Sequence, residues 1–344
     1  MNEFELIARL TKSLPTNKNV VVGAGDDCAV LDLGVPDKLI LFKTDAVVEG
    51  IHFTRETPPE KIGRKALARC LSDIAAMAGT PTAALVTIAL PKIFDAEFVA
   101  KIYDGLNALA EKCGVAVVGG ETTTNPGRDS CAVERRSPTR RELASSPHEP
   151  GQETGVPAAG AILISIALLG TVPRGKQILR SGAKVGDAIF VTGELGGSLA
   201  GRHLEFEPRL EEARWLAEHF PIHALMDLSD GLGGDLRHIL QASKAGAEIL
   251  KSAVPVARAA KLAARENSAA RPAFVAALTD GEDFELLFTL ASKDAVKLLD
   301  AWKKKFPKVK LSCIGKIVAG EGIAIRDKMG SHQFNAKGYV HFAK

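Results

Sequence analysis

Five short strings, far apart in the chain, each place aspartate beside glycine, serine or threonine. They are Gly23-Ala24-Gly25-Asp26-Asp27, Lys43-Thr44-Asp45, Leu71-Ser72-Asp73, Asp227-Leu228-Ser229-Asp230-Gly231 and Asp280-Gly281-Glu282-Asp283. Almost every one falls where a strand should end or a helix begin. Carboxylates repel one another, so a fold that gathers them needs cations, and hard oxygen ligands favour Mg²⁺. A glycine-lined, oxygen-rich cation site is the usual apparatus for handling phosphate groups.

The rest of the chain supplies alternating frames for these strings. Apolar alternation or short apolar runs predict strands at 38–44, 84–90, 115–118, 162–169, 188–192, 284–290 and 323–326. Helical periodicity predicts helices at 60–78, 96–112, 232–243 and 294–306. The expected class is α+β, with two mixed α/β domains divided at 171/172, where Pro173-Arg174-Gly175 follows a strand. In the helix at 60–78, Ile62, Ala66, Leu67, Cys70, Leu71 and Ile74 share half of a helical wheel, and Asp73 falls inside that apolar arc. An acid directed inward needs a compensating cation. An ion pair with Arg69, one turn back, is the ordinary alternative.

Each string offers groups suited to a cation or a phosphate. Glycines at 23 and 25 allow close backbone approach, but no Gly-Lys-Ser/Thr follows, so this is not a Walker loop. Thr44 and Asp45 close a strand with a hydroxyl and a carboxylate, and His52 follows in an apolar setting. Gly119-Gly120-Glu121 is expected as a glycine turn after the 115–118 strand, passing backbone N–H groups to a phosphate. Asp227 and Ser229 share a face of an extended segment, and Asp230 is placed to cap the next helix. Glu282 precedes a strand, and Arg180 sits near a turn where a guanidinium suits a phosphate.

Composition removes other classes. Aromatics at 5% and a net charge of +3 disfavour a nucleic-acid binder. The longest apolar run, 161–169, is too short to span a bilayer. Five scattered cysteines without Cys-x-x-Cys, and an N-terminus mixed in polarity, predict a cytoplasmic chain with reduced thiols. Residues 128–157 hold four prolines, five arginines and five acids with few apolar groups, so the 128–160 segment is expected as a surface insertion.

Taken together and in order, GAGDDCAVL, TDAVVEGIHF, KALARCLSDIAAMAG, LRSGAKVGD, MDLSDGLGGDLRHI, DGEDFELLFT and GYVHF resemble the thiamine-monophosphate kinase family, within the aminoimidazole ribonucleotide synthetase-like superfamily. The likeness runs from Phe4 to Phe342. It implies an ATP-binding N-terminal domain whose sheet pairs in a homodimer, and a C-terminal domain with its own sheet and helices. It implies Mg²⁺ ligands at Asp27, Thr44, Asp45, Asp73, Glu121, Asp227 and Asp230, with Lys43 offering at most its backbone carbonyl. It implies ATP contacts at Gly120, Glu121, Arg180 and Ser229, and thiamine phosphate near His52, Glu282 and Tyr339. The implied reaction moves the γ-phosphoryl of ATP directly onto thiamine phosphate, with several Mg²⁺ ions and no general base. Two positions depart from the family pattern: Glu121 replaces an aspartate, and Asp280 replaces the first glycine of Gly-Gly-Glu-Asp. The alternatives are a purine-pathway cyclo-ligase type of the same superfamily, or a nucleotide-binding regulator without turnover.

Overall fold

The computed structural model describes residues 3–125, 160–267 and 270–334. Tyr339 and nearly all of the 128–160 segment lie outside the described residues. The first six strands form one sheet: β1 (Val20–Val22), β2 (Ala29–Leu31), β3 (Lys38–Val48), β4 (Thr80–Leu90), β5 (Ala116–Thr124) and β6 (Leu163–Pro173), in the order β1-β2-β3-β6-β4-β5. Three helices belong to this half: α1 (Glu3–Thr11), α2 (Pro59–Ala76) and α3 (Ala96–Cys113). The second half builds a seven-stranded sheet from β7 (Asp187–Thr192), β8 (Ile222–Asp227), β9 (Gly246–Leu250), β10 (Leu286–Ala291), β11 (Leu311–Val318), β12 (Gly322–Asp327) and β13 (Gly330–Phe334), ordered β13-β12-β9-β11-β7-β10-β8. Its helices are α4 (Leu210–His219), α5 (Leu232–Ser243), α6 (Arg258–Glu266), α7 (Ala273–Thr279) and α8 (Ala295–Lys305).

Strand alternation decides which side chains enter the core. On β3, Leu39, Leu41 and Val47 are buried, and Lys43 and Asp45 share their face. Phe42 and Thr44 point to the other side and are exposed. The buried face packs on α2, which presents Ile62, Ala66, Leu67, Cys70 and Ile74 to it. Pro59 starts α2 at a position where a missing N–H costs nothing. Asp95 caps α3 by accepting from the Glu97 N–H at 2.9 Å, and Gly114 closes it in the left-handed region.

The glycine pair at 119–120 is not a turn. β5 continues through it to Thr124, and a register shift opposite Ala84/Leu85 absorbs the irregularity. A Cβ on Gly120 would lie 1.7 Å from the Val86 carbonyl oxygen, so only glycine fits there. The two halves share a core in which Phe206, Leu210, Leu216 and Phe284 join the apolar residues of α2 and α3. The cleft between the sheets is framed by α2, the end of β8 and the loop before β10.

Candidate functional site

The strings meet in that cleft. Asp27 follows β1, Asp73 lies on α2 and Asp227 ends β8. One oxygen from each carboxylate lies within 4.8 Å of the other two, and all three residues are buried. Asp27 Oδ1 accepts from Arg180 Nη2 at 2.6 Å, whereas its buried Oδ2 has no hydrogen-bond partner. Asp227 Oδ2 accepts from the Ser72 hydroxyl at 2.6 Å, and Asp73 pairs with Lys43 Nζ at 3.1 Å. Buried polar atoms are normally satisfied, so an orphaned carboxylate oxygen facing two further acids points to a cation.

The electrostatics agree. Burial, then the facing Asp27 carboxylate, push the Asp227 carboxyl above the ordinary range, against the Ser72 hydrogen bond and the Lys43 and Arg180 cations. Asp73 is pushed the same way by burial, against Lys43 and with Asp227, Asp45 and Asp27 adding to the rise. Asp26 is raised to about 6, by burial and then by Asp27, although its oxygens accept from the Arg180 N–H. Three donors of this type fit Mg²⁺, which takes carboxylate oxygens and keeps the rest of its shell for water or phosphate.

A second group, Asp230, Asp235 and His238, lies at the start of α5 with ligand atoms likewise within 4.8 Å of one another. Asp230 does not cap α5, whose N-cap is Gly231 with no side-chain cap. Instead the Asp230 N–H donates to Asp235 Oδ2 at 3.1 Å, which buries a carboxylate under the loop.

Other expected site residues fall elsewhere. Asp45 stays outside the Asp27–Asp73–Asp227 group and accepts from Arg69 Nε at 3.0 Å. Arg69 therefore does not serve Asp73; Lys43 does, because it projects from the neighbouring strand onto the same side of the sheet. The Lys43 side chain is thus engaged as a cation. Thr44 points to the outer face of the sheet, where its hydroxyl lies 3.4 Å from that of Ser165. Only its backbone can serve the cleft. Glu121 is exposed on β5 and joins neither acid group.

Farther along the cleft, Ile51, His52, Arg69, Ser229, Asp230 and Glu282 help line a pocket of about 90 Å³. His52 Nδ1 accepts from the Val48 N–H at 3.0 Å, which fixes its proton on Nε2. Burial, then the Arg69 cation, lower its pKa to about 4, so the ring is neutral near pH 7. Arg180 places its buried Nε, which has no partner, beside Asp27. Sequence reasoning missed Lys65, whose side chain is fully buried against Glu282. The signal was present: Lys65, Arg69 and Asp73 recur every four residues, a stripe of charge that runs from beside the apolar arc of α2 into its edge.

Comparison with known proteins supplies the family. The profile of AIR synthase related protein, N-terminal domain, matches residues 25–134, and that of the C-terminal domain matches residues 184–328. A thiamine-monophosphate kinase of Rhodopirellula baltica is 36% identical over 341 residues, covering 96% of this chain and 93% of its own. The chain belongs to the thiamine-monophosphate kinase family. Its Salmonella typhimurium relative is 32% identical, covering 99% of this chain and 98% of its own. The solved structure of AaThiL complexed with AMPPCP and TMP superposes with a TM-score of 0.73 at 28% identity, covering 99% of this chain and 97% of its own. Among the described residues no helix is long and apolar enough to cross a membrane.

Proposed function

We propose that the chain phosphorylates thiamine phosphate with ATP, giving thiamine diphosphate and ADP. The observation that carries this reading is the buried triad Asp27, Asp73 and Asp227, with its orphaned Asp27 oxygen, together with a His52-lined pocket that Ser229 and Asp230, just beyond Asp227 in the chain, help to line. Family membership supplies the substrates. In the reaction an oxygen of the acceptor phosphate forms a new bond to the γ-phosphorus as the bond to the β–γ bridging oxygen breaks. The acceptor is already an anion, so no proton has to be removed.

The three aspartates would hold Mg²⁺, which supplies charge neutralisation and alignment of phosphate oxygens. Asp230, in the separate group with Asp235 and His238, is a further candidate ligand. Arg180, fixed by Asp27, offers its remaining N–H to a nucleotide phosphate. Ser229 and the N–H groups beside Gly120 and Glu121 are candidate nucleotide contacts. His52 presents Nε2–H to the acceptor, and Arg69 opposes the acceptor phosphate charge. Glu282 lies close by as an anion, suited to the cationic thiazolium ring. A regulator without turnover would not require a second pocket beside the triad.

A coupled assay with thiamine phosphate, ATP and Mg²⁺ tests the reading. ADP and thiamine diphosphate in equal amounts are expected, with the γ-phosphorus of ATP found in the β-position of the product. ATP hydrolysis without thiamine diphosphate would refute it.

The outer face of the six-stranded sheet supports a homodimer. Phe42, Leu85, Val118 and Leu169 lie 45%, 47%, 63% and 39% exposed on neighbouring strands, away from α2 and α3. A contiguous apolar patch of this kind marks an interface. Sedimentation is expected to give twice the 36.4 kDa chain mass, and Phe42→Glu to give the chain mass. A wild-type monomer would contradict this.

A further inference from the structure

Lys65 is an unusual residue to find on the buried face of α2. Its side chain has no solvent exposure, and two of its ammonium donors are taken up by oxygen acceptors. It donates to the His52 carbonyl at 2.7 Å and to Glu282 Oε2 at 2.7 Å, and lies 2.8 Å from His203 Nδ1. The first partner belongs to the loop after β3 and the second to the loop before β10. One ammonium therefore ties the opposite walls of the cleft together, at the two residues placed nearest the acceptor.

Glu282 needs such a tie. Its φ of 62° is in the left-handed region, as is the φ of 50° at Phe284, and neither is glycine. Such strain persists only where the surroundings over-determine it, and it clusters at ligand clamps. The backbone of this loop is held by Glu282 N–H to Ser229 O and Phe284 N–H to Leu228 O, both at 2.7 Å. The carboxylate is held by Lys65, by His203 Nδ1 at 3.0 Å and by Arg69 Nη1 at 3.6 Å. Burial pushes the Glu282 carboxyl up, but His203, Lys65 and Arg69 outweigh it and leave it at about 2. Glu282 is thus a fixed anion whose direction is set by its partners.

We infer that Lys65, completed by His203, is a positioning residue for the acceptor: it sets the spacing of His52 and Glu282 and so the binding of thiamine phosphate, without touching ATP. This rests on the placement of thiamine phosphate beside His52 and Glu282 proposed above. Lys65 has no role in holding the acid triad, so its loss separates the two substrates.

The test is steady-state kinetics on the full chain for Lys65→Met, His203→Gln, Glu282→Gln and the double variant Lys65→Met/Glu282→Gln. Lys65→Met is expected to raise KM for thiamine phosphate about tenfold or more while KM for ATP changes by less than about threefold. His203→Gln is expected to shift KM for thiamine phosphate in the same direction by less. The double variant is expected to be less impaired than the product of the two single effects, because Lys65 acts in part through Glu282. Lys65→Met leaves a buried carboxylate short of its cation. If that variant does not fold, His203→Gln and the double variant, in which a neutral amide faces the methionine, decide the matter. Equal changes in both KM values, or multiplying effects of Lys65→Met and Glu282→Gln, would overturn the positioning role. If Glu282→Gln leaves KM for thiamine phosphate unchanged, the placement of the acceptor itself is wrong, and the inference falls with it.

Discussion

Asp227→Asn is expected to lower kcat at saturating Mg²⁺ by about 10²-fold or more while leaving thermal stability equal to or above that of the wild type. The two halves of this expectation have one cause. Asp27, Asp73 and Asp227 are buried within 4.8 Å of one another, so in the chelated chain they repel. Asparagine keeps an oxygen for the Ser72 hydroxyl and removes one of the three charges. Loss of a group that stabilises transferring phosphoryl charge typically costs 10² to 10³ in rate. Asp45→Ala behaves differently. It strips Arg69 of its 3.0 Å partner and leaves Glu282 at 3.6 Å as the remaining anion, so it should lower stability as well as rate. Melting curves and turnover measured side by side check the contrast. An Asp227→Asn chain that melts well below wild type and retains normal turnover would contradict it.

Gly63→Ala is expected to destabilise the chain by about 3 kcal/mol or more. The helices α2 and α3 touch backbone to backbone at two glycines. A Cβ on Gly63 would stand 1.7 Å from the Ile102 carbonyl oxygen, and one on Gly105 would stand 1.8 Å from that of Glu60. Neither obstacle is a side chain that can turn away, so the helices must separate. Because α2 carries Lys65, Arg69, Ser72 and Asp73, separation also displaces both halves of the cleft. A fall in Tm of about 5 °C or more is expected, with a larger loss of activity than of helix content. A Tm within about 1 °C of wild type would show that the helices are not in this contact.

Much of the frame was legible because its period is strong. The apolar alternation of β3 and β6 and the wheel of α2 can be read directly, and Asp95 and Gly114 mark the ends of α3. Short elements were not legible. β1 and β2 have three residues each, too few for a period, and β11 carries Gly315 in mid-strand. The helices α4 and α6 were missed because, at 10 and 9 residues, each is under three turns long and repeats its apolar period too few times. In the site, the residue types of the triad could be read, but its membership could not. Asp27, Asp73 and Asp227 come from a loop, a helix and a strand end, and only the packing of α2 between the sheets brings them together. Thr44 and Asp45 are adjacent in sequence yet face opposite sides of β3, which the two-residue period of a strand requires. The error over the 119–120 glycines has a specific origin. Paired glycines signal a turn, whereas here they let β5 pass close to the β4 backbone.

The central claim is that the buried triad holds a divalent cation, and direct titration of the chelated chain with Mg²⁺ tests it most closely. The Asp227 carboxyl is raised in the folded chain, so it keeps its proton at pH values where an ordinary aspartate is ionised, and it must lose that proton to bind a cation. Calorimetry in buffers of different ionisation enthalpy should therefore show Mg²⁺ binding accompanied by proton release, with affinity rising from pH 6 to pH 8. Asp227→Asn should weaken binding and reduce the release. Binding that is absent, or that is unchanged by both pH and Asp227→Asn, would contradict the account.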